Sequence, residues 1–215
     1  MAEAGTKAPR ERYRTQVRAE IKEHAWEQIA TAGASALSLN AIAKQMGMSG
    51  PALYRYFASR DELITELIRD AYRSLADTFR AASKPGPEAA ALAHALRKWA
   101  LDDPQRYFLI YGTPVPGYHA PDDITAIASE IMTTLLDACA ALPSGSSATP
   151  FDAHLEGHRQ WADGHPAPTA ALRRALAFWT RLHGVLSLEL AGQFTGMGFD
   201  PALLFTAELD DLLVR

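Results

Sequence analysis

Apolar residues return every three or four positions through most of this chain, the period of a helix with one buried face. Val17, Ile21, Ala25, Ile29 and Ala32 form one such stripe and predict a first helix over residues 10–32, stopped by Gly33. Two much shorter helices are expected over 39–46 and 50–57, with Ser38 and Ser49 in N-cap positions and Gly47 supplying a tight turn between them. Ser59 with Glu62 reads as a capping box for a fourth helix over 60–82, along which Leu63, Leu67, Ala71 and Leu75 hold one face. Further helices are expected over 88–101, 104–111, 122–142, 151–163, 168–194 and 201–213, separated by proline- and glycine-rich breaks. Alternating β-branched runs are missing, so the fold class is all-α, with about nine to ten helices.

The cluster Lys84-Pro85-Gly86-Pro87 is the best boundary. It suggests a head over 1–60, a linking helix over 61–84 and a larger helical body over 85–215. Charge adds to this division. The net charge of −4 does not by itself suggest a polyanion-binding protein, but residues 1–60 hold nine Lys/Arg against five Asp/Glu, while the remainder hold 12 against 20. A basic head on an acidic body implies that the head alone meets an anionic partner.

Two helices of about two turns cannot persist alone, because helix nucleation is unfavourable. They need the stripes of the first and fourth helices, with Leu39, Ile42, Ala43, Met46, Leu53 and Phe57 turned inward. This is a helix-turn-helix arrangement, whose second short helix lies in the DNA major groove. Gly50, Pro51, Ala52, Tyr54, Arg55 and Tyr56 then face mostly outward. Tyrosine hydroxyls bind phosphate oxygens, Pro51 and Ala52 can touch thymine methyls, and Arg55 can meet a guanine edge or a phosphate. The alternative is that Tyr54 and Tyr56 pack on neighbouring helices. First-turn N–H groups near Ser38 and Arg60 can hold phosphates.

The run from Ala34 to Ile64 resembles the helix-turn-helix of the tetracycline-repressor (TetR) family. The resemblance is carried by Ile42-Ala43, Gly47-Met48-Ser49, Leu53-Tyr54, Tyr56-Phe57, Ser59-Arg60 and Glu62-Leu63, and it covers roughly residues 12–65. It implies a homodimeric, DNA-binding transcriptional regulator on a palindromic double-stranded operator, with repression as the usual direction. By position it implies DNA contacts at Ser38, Ser49, Gly50, Pro51, Ala52, Tyr54, Tyr56 and Arg60. At Gly50-Pro51 the chain departs from the lysine-glycine pair that many members carry there.

In the body, Leu172, Leu176, Trp179, His183, Leu186 and Leu190 follow spacings of three and four, a seam like that of paired helices. Phe178, Leu182, Val185 and Leu188 lie off that seam, so one side is expected in the subunit core and the other at a dimer interface. The stretch from Trp179 to Gly184 resembles the Trp-His-Gly type of C-terminal domain in the same family, which implies pairing through this helix and the one over 201–213. Trp99, Tyr107, Phe108, Tyr111, Met132, Leu136, Phe151 and Trp161 can line one apolar cavity for a small hydrophobic effector; the alternative is that most are plain core.

His154 and His158 sit four apart with Glu156 between, but this is not the zinc-protease order and no third ligand is fixed, so no metal is expected. Cofactor fingerprints, phosphate loops and nucleophile elbows are absent from the sequence, which argues against an enzyme and implies no cofactor. The competing reading is an all-helical enzyme or carrier with a helix-turn-helix-like bend. The lone Cys139 reads as a small core residue. No apolar run suits a membrane span, and the polar opening Met1 to Pro9 gives no secretory signal, so a cytoplasmic location is expected.

Overall fold

The computed structural model describes residues 9–112, 118–143 and 148–214. The polar opening and parts of two expected breaks, 113–117 and 144–147, lie outside the described residues. Among the described residues the chain is all-helical: α1 (Pro9–Ala32), α2 (Leu39–Gln45), α3 (Gly50–Leu53), α4 (Arg60–Ala82), α5 (Ala89–Asp102), α6 (Pro104–Tyr111), α7 (Asp122–Ala140), α8 (Pro150–Glu156), α9 (Thr169–Leu190) and α10 (Pro201–Val214). Short 3-10 turns add Ala34–Ala36 and Gln160–Ala162.

Three expected helices are shorter than the pattern suggested. α3 keeps one α-turn, and residues 54–56 continue as a turn closed by the Tyr56 N–H on Leu53 O at 2.8 Å. The expected helix 151–163 breaks after Glu156, and Asp163 takes φ +50, a left-handed conformation. α9 stops at Leu190 rather than near 194, just before Gly192 at φ +71.

The chain divides into two compact units, Met1–Asp70 with Phe108–His119, and Ala71–Tyr107 with Ala120–Arg215. In the first, Val17, Ile21, Ala25 and Ile29 of α1 are buried, as are Leu39, Ile42, Ala43, Leu53, Phe57, Leu63, Ile64, Leu67 and Ile68. Ala32, expected in the stripe, is exposed, and Met46 is half-buried. The Ser59 hydroxyl caps the Glu62 N–H at 3.1 Å. Glu62 reaches past Ser59 to the Ala58 N–H at 2.6 Å, one residue further back than a standard capping box.

In the second unit, α9 packs against α10, α7, α8 and α5. Leu172, Ala175, Phe178, Leu182 and Leu186 of α9 are buried with Leu92 and Leu96 of α5, Ile131 and Leu135 of α7, and Phe205 and Leu209 of α10. Each such large side chain contributes about 1.5–3 kcal/mol relative to exposure, so this apolar interior dominates the stability of the unit. α8 begins with a capping box in which Thr149 Oγ1 accepts from the Asp152 N–H and Asp152 accepts from the Thr149 N–H at 2.7 Å. Asp152 is buried, and these hydrogen bonds together with Arg173 at 2.8 Å hold its carboxyl below the usual carboxylate range.

Candidate nucleic-acid interface

The short elements of the first unit are set by local hydrogen bonds. Ser38 Oγ accepts from the Ala41 N–H at 3.3 Å, so the serine caps α2 while its own hydroxyl proton remains available for donation. The Ser38 N–H is taken by Gln28 Oε1 at 3.0 Å, which pins the start of α2 to α1. Gly47 at φ +65 then turns the chain, and the Met48 N–H closes the turn on Ala43 O at 2.8 Å. A side chain at Gly47 would meet open space, so its requirement is the backbone conformation rather than room. Ser49 flanks α3 in an extended conformation without capping it through its side chain.

Leu53 and Phe57 are fully buried and fasten the recognition turn to the core. Around them, Ser49, Pro51 and Arg55 are exposed, Tyr54 is 46% exposed, and Ser38, Gly50, Ala52 and Tyr56 are half-buried. Neither tyrosine is sealed inside. The result is one compact polar and aromatic surface beside a capped helix start, with the hydrogen-bonding inventory that a duplex backbone and its base edges require.

Arg60 was expected to offer its backbone N–H, and the structure gives its side chain a separate task. Its side chain is a strut: Nε donates to Leu37 O at 3.1 Å, and Nη2 donates to Ala34 O at 2.7 Å and Ser35 O at 3.1 Å. The guanidinium holds the 3-10 turn that precedes α2, and only the first-turn backbone of α4 offers a phosphate contact there. Pattern reading also passed over Arg14 and Arg18. Arg14 donates to Arg55 O at 3.4 Å and Arg18 to Tyr56 O. Two arginines one turn apart on α1, away from its apolar stripe, were the signal.

The comparisons with known proteins agree with this geometry. Residues 21–67 match the family model described as bacterial regulatory proteins, tetR family, and residues 89–212 match that of the tetracyclin repressor-like C-terminal domain. The chain belongs to the TetR family. It is similar to the HTH-type transcriptional regulator Rv1816 of Mycobacterium tuberculosis H37Rv, at 38% identity over 91% of this chain and 90% of the relative. It is also similar to the crystal structure of SCO4313, a protein carrying the label of regulatory protein, at 77% identity with a TM-score of 0.88 over 97% of this chain and all of that one. The TetR-family regulator PfmR of Thermus thermophilus shares the fold, with a TM-score of 0.57 at 17% identity over 90% of this chain and 97% of its own. This TetR-family chain is therefore a DNA-binding transcriptional regulator and not an enzyme. No helix among the described residues is long and apolar enough to cross a membrane.

The C-terminal match includes the Trp179–Gly184 stretch, where two residues of the expected interface seam need a correction. Leu172 and Leu186 are fully buried within the subunit, so they cannot meet a partner. Leu176, Trp179, His183 and Leu190 are half-buried, whereas Thr180, Gly184 and Leu188 are exposed. The uncovered face of α9 is thus rotated relative to the seam that spacing suggested. His183 sits against Trp179, with ring centroids 4.3 Å apart, and its Nδ1 lies 3.0 Å from the Tyr107 hydroxyl. Burial pushes its pKa down to about 4, so the imidazole is neutral at physiological pH.

The expected pocket residues fall in both units. Phe108 and Tyr111 belong to the first unit; the other six belong to the second. There Tyr107 and Leu136 are fully buried, Met132 and Trp161 are half-buried, and Trp99 is buried with its indole N–H on Ser74 Oγ at 3.1 Å. Phe151 is a surface residue, 46% exposed, stacked against His154 rather than facing an interior. An open cleft of about 390 Å³ in this unit is lined by other residues, among them Arg80, Ser129, Glu130 and Thr133. His154 and His158 are exposed and stack at 4.1 Å, and no cluster of three potential metal ligands forms among the described residues. Cys139 is buried, and desolvation pushes its thiol up to about 12.

Proposed function

We propose that this regulator is a homodimeric repressor that leaves a palindromic operator when a small, largely apolar effector enters the body. In this reading residues 1–60 read DNA, residues 61–84 link, and residues 85–215 sense and dimerise. Ser38, Ser49, Gly50, Pro51, Ala52, Tyr54, Arg55 and Tyr56 make the contacts, with the backbone of Arg60. The observation that carries it is the exposure of Pro51, Tyr54 and Arg55 on a turn whose Leu53 and Phe57 are fully buried. A surface tyrosine and arginine fastened that firmly have no packing role to explain them.

Pairing is supported by the uncovered α9 face, where the small residues Thr180 and Gly184 allow a second helix to approach closely and Leu188 adds apolar area. A homodimer that reads two successive major grooves needs its recognition turns about 34 Å apart, one turn of duplex. The aromatic and aliphatic side chains of the body favour an apolar effector. To move the operator-bound fraction from 99:1 to 1:99, that effector must prefer the released conformation by about 5.5 kcal/mol.

Selection of bound sequences from random duplex DNA tests the proposal. The expected product is an inverted repeat with half-sites about one turn apart, bound with an affinity that falls steeply with salt. Tyr54→Ala should weaken that binding by about tenfold or more while leaving the oligomeric state unchanged. Recovery of no sequence, of a single half-site, or a wild-type affinity for Tyr54→Ala would overturn the assignment.

A further inference from the structure

We infer that Arg18 is a positioning residue that ties the recognition turn to α4 and so holds the DNA-reading side chains in place; this rests on the DNA-reading role proposed above. α3 has a single α-turn, and the turn that follows it over residues 54–56 does not continue the helical hydrogen-bond ladder. α1 supplies donors to the carbonyls of that turn. Arg14 and Arg18, four residues apart and so on one face, donate to Arg55 O and Tyr56 O.

Arg18 does more than cap. Its guanidinium lies 4.0 Å from the centre of the Phe57 ring, the residue that anchors the turn in the core. It also stands 3.9 Å from Glu62 and 3.6 Å from Glu66, both on α4, and its side chain is only 25% exposed. One planar fork of donors thus joins α1, the recognition turn and α4, an arrangement that a lysine ammonium cannot reproduce. Nη1 donates to Tyr56 O and the charge faces two carboxylates, which turns the guanidinium toward its own chain rather than toward a phosphate. Loss of that link alters the support under Tyr54 and Arg55.

The test compares a duplex recovered by selection from random DNA with a shuffled duplex of the same composition, each titrated at several salt concentrations. Arg18→Met should lower affinity for the selected duplex about tenfold and leave the shuffled duplex and the salt slope unchanged, because fit is lost rather than a phosphate contact. Arg18→Lys, which keeps the charge and secures a folded variant, should lose most of the same discrimination. Glu66→Gln should reduce discrimination in the same direction, and the double variant Arg18→Met/Glu66→Gln should be no worse than Arg18→Met alone. An equal loss on both duplexes with a salt slope shallower by about 0.9 would make Arg18 a phosphate contact and overturn the inference. Additive single effects, or full discrimination by Arg18→Lys, would overturn it as well. A wild type that binds both duplexes alike would remove the DNA-reading assignment itself.

Discussion

Arginines are used differently in the two units. In the first, three of them serve the main chain: Arg14 and Arg18 cap the end of the recognition turn, and Arg60 holds three carbonyls of the segment before α2, while Arg69 pairs with Glu66 along α4 and Arg18 also faces Glu62 and Glu66. In the second they mainly pair with carboxylates on other helices: Arg73 and Arg80 share Glu130, Arg97 meets Glu189 at 2.6 Å, and Arg181 meets Glu208 and Asp211. The cause is helix length. Short helices leave most of their terminal carbonyls without partners, and cations fill the deficit; long helices satisfy their own backbone, which frees the side chains for one another. The exceptions obey the same rule. Arg159 donates to His165 O and Ala167 O, and Arg174 to Pro143 O, where the second unit too runs through short and irregular segments.

The largest effect should come from the apolar interior. Leu186→Ala should destabilise the protein by about 2–5 kcal/mol in chemical denaturation. Because Leu186 lies wholly within the subunit, its loss should be the same at every protein concentration. A loss that grows on dilution would return Leu186 to an interface. Next comes His183, whose depressed pKa makes stability depend on pH. The unfolded chain takes up a proton below about 6.5 while the folded imidazole resists until about 4, so stability is full above that window and falls as pH drops through it. The decline should reach roughly 2–3 kcal/mol. His183→Gln should flatten that part of the pH profile, leaving the fall at lower pH where Asp152 and Glu130, both held below the usual carboxylate range, take up protons. The smallest effects test the arginine contrast. Arg60→Met should cost about 1–2 kcal/mol and speed amide exchange around Ala34–Ala36, since it leaves three carbonyls without their donor. Arg73→Met, at an exposed pair, should cost under about 1 kcal/mol. Equal costs would break the comparison.

Much of this was readable in the residue pattern. The fourth helix falls at Arg60–Ala82 as its capping serine and apolar face predicted, and Ser38 caps α2 as placed. The head residues Leu39, Ile42, Leu53 and Phe57 point inward as their spacing required. The recognition turn was legible because its fixed offsets combine turn chemistry with periodicity. The use of the Arg60 side chain was not legible, because a positive charge at a helix start looks the same in sequence whether it awaits a phosphate or holds a carbonyl of its own chain. The α9 seam failed for a related reason: a spacing of three and four defines a stripe, but a helix apolar on most sides carries more than one.

The order of amino acids therefore determined the helices, their caps and turns and the kind of surface on the recognition turn, since these depend on neighbours within a few positions. Tertiary structure alone decided which side of α9 is left uncovered, that Arg18 meets α4 and the turn after α3 at once, and that His183 stays neutral. Those outcomes depend on groups far apart in sequence, Tyr56 from Arg18 and Tyr107 from His183, whose approach is fixed only when the apolar faces close.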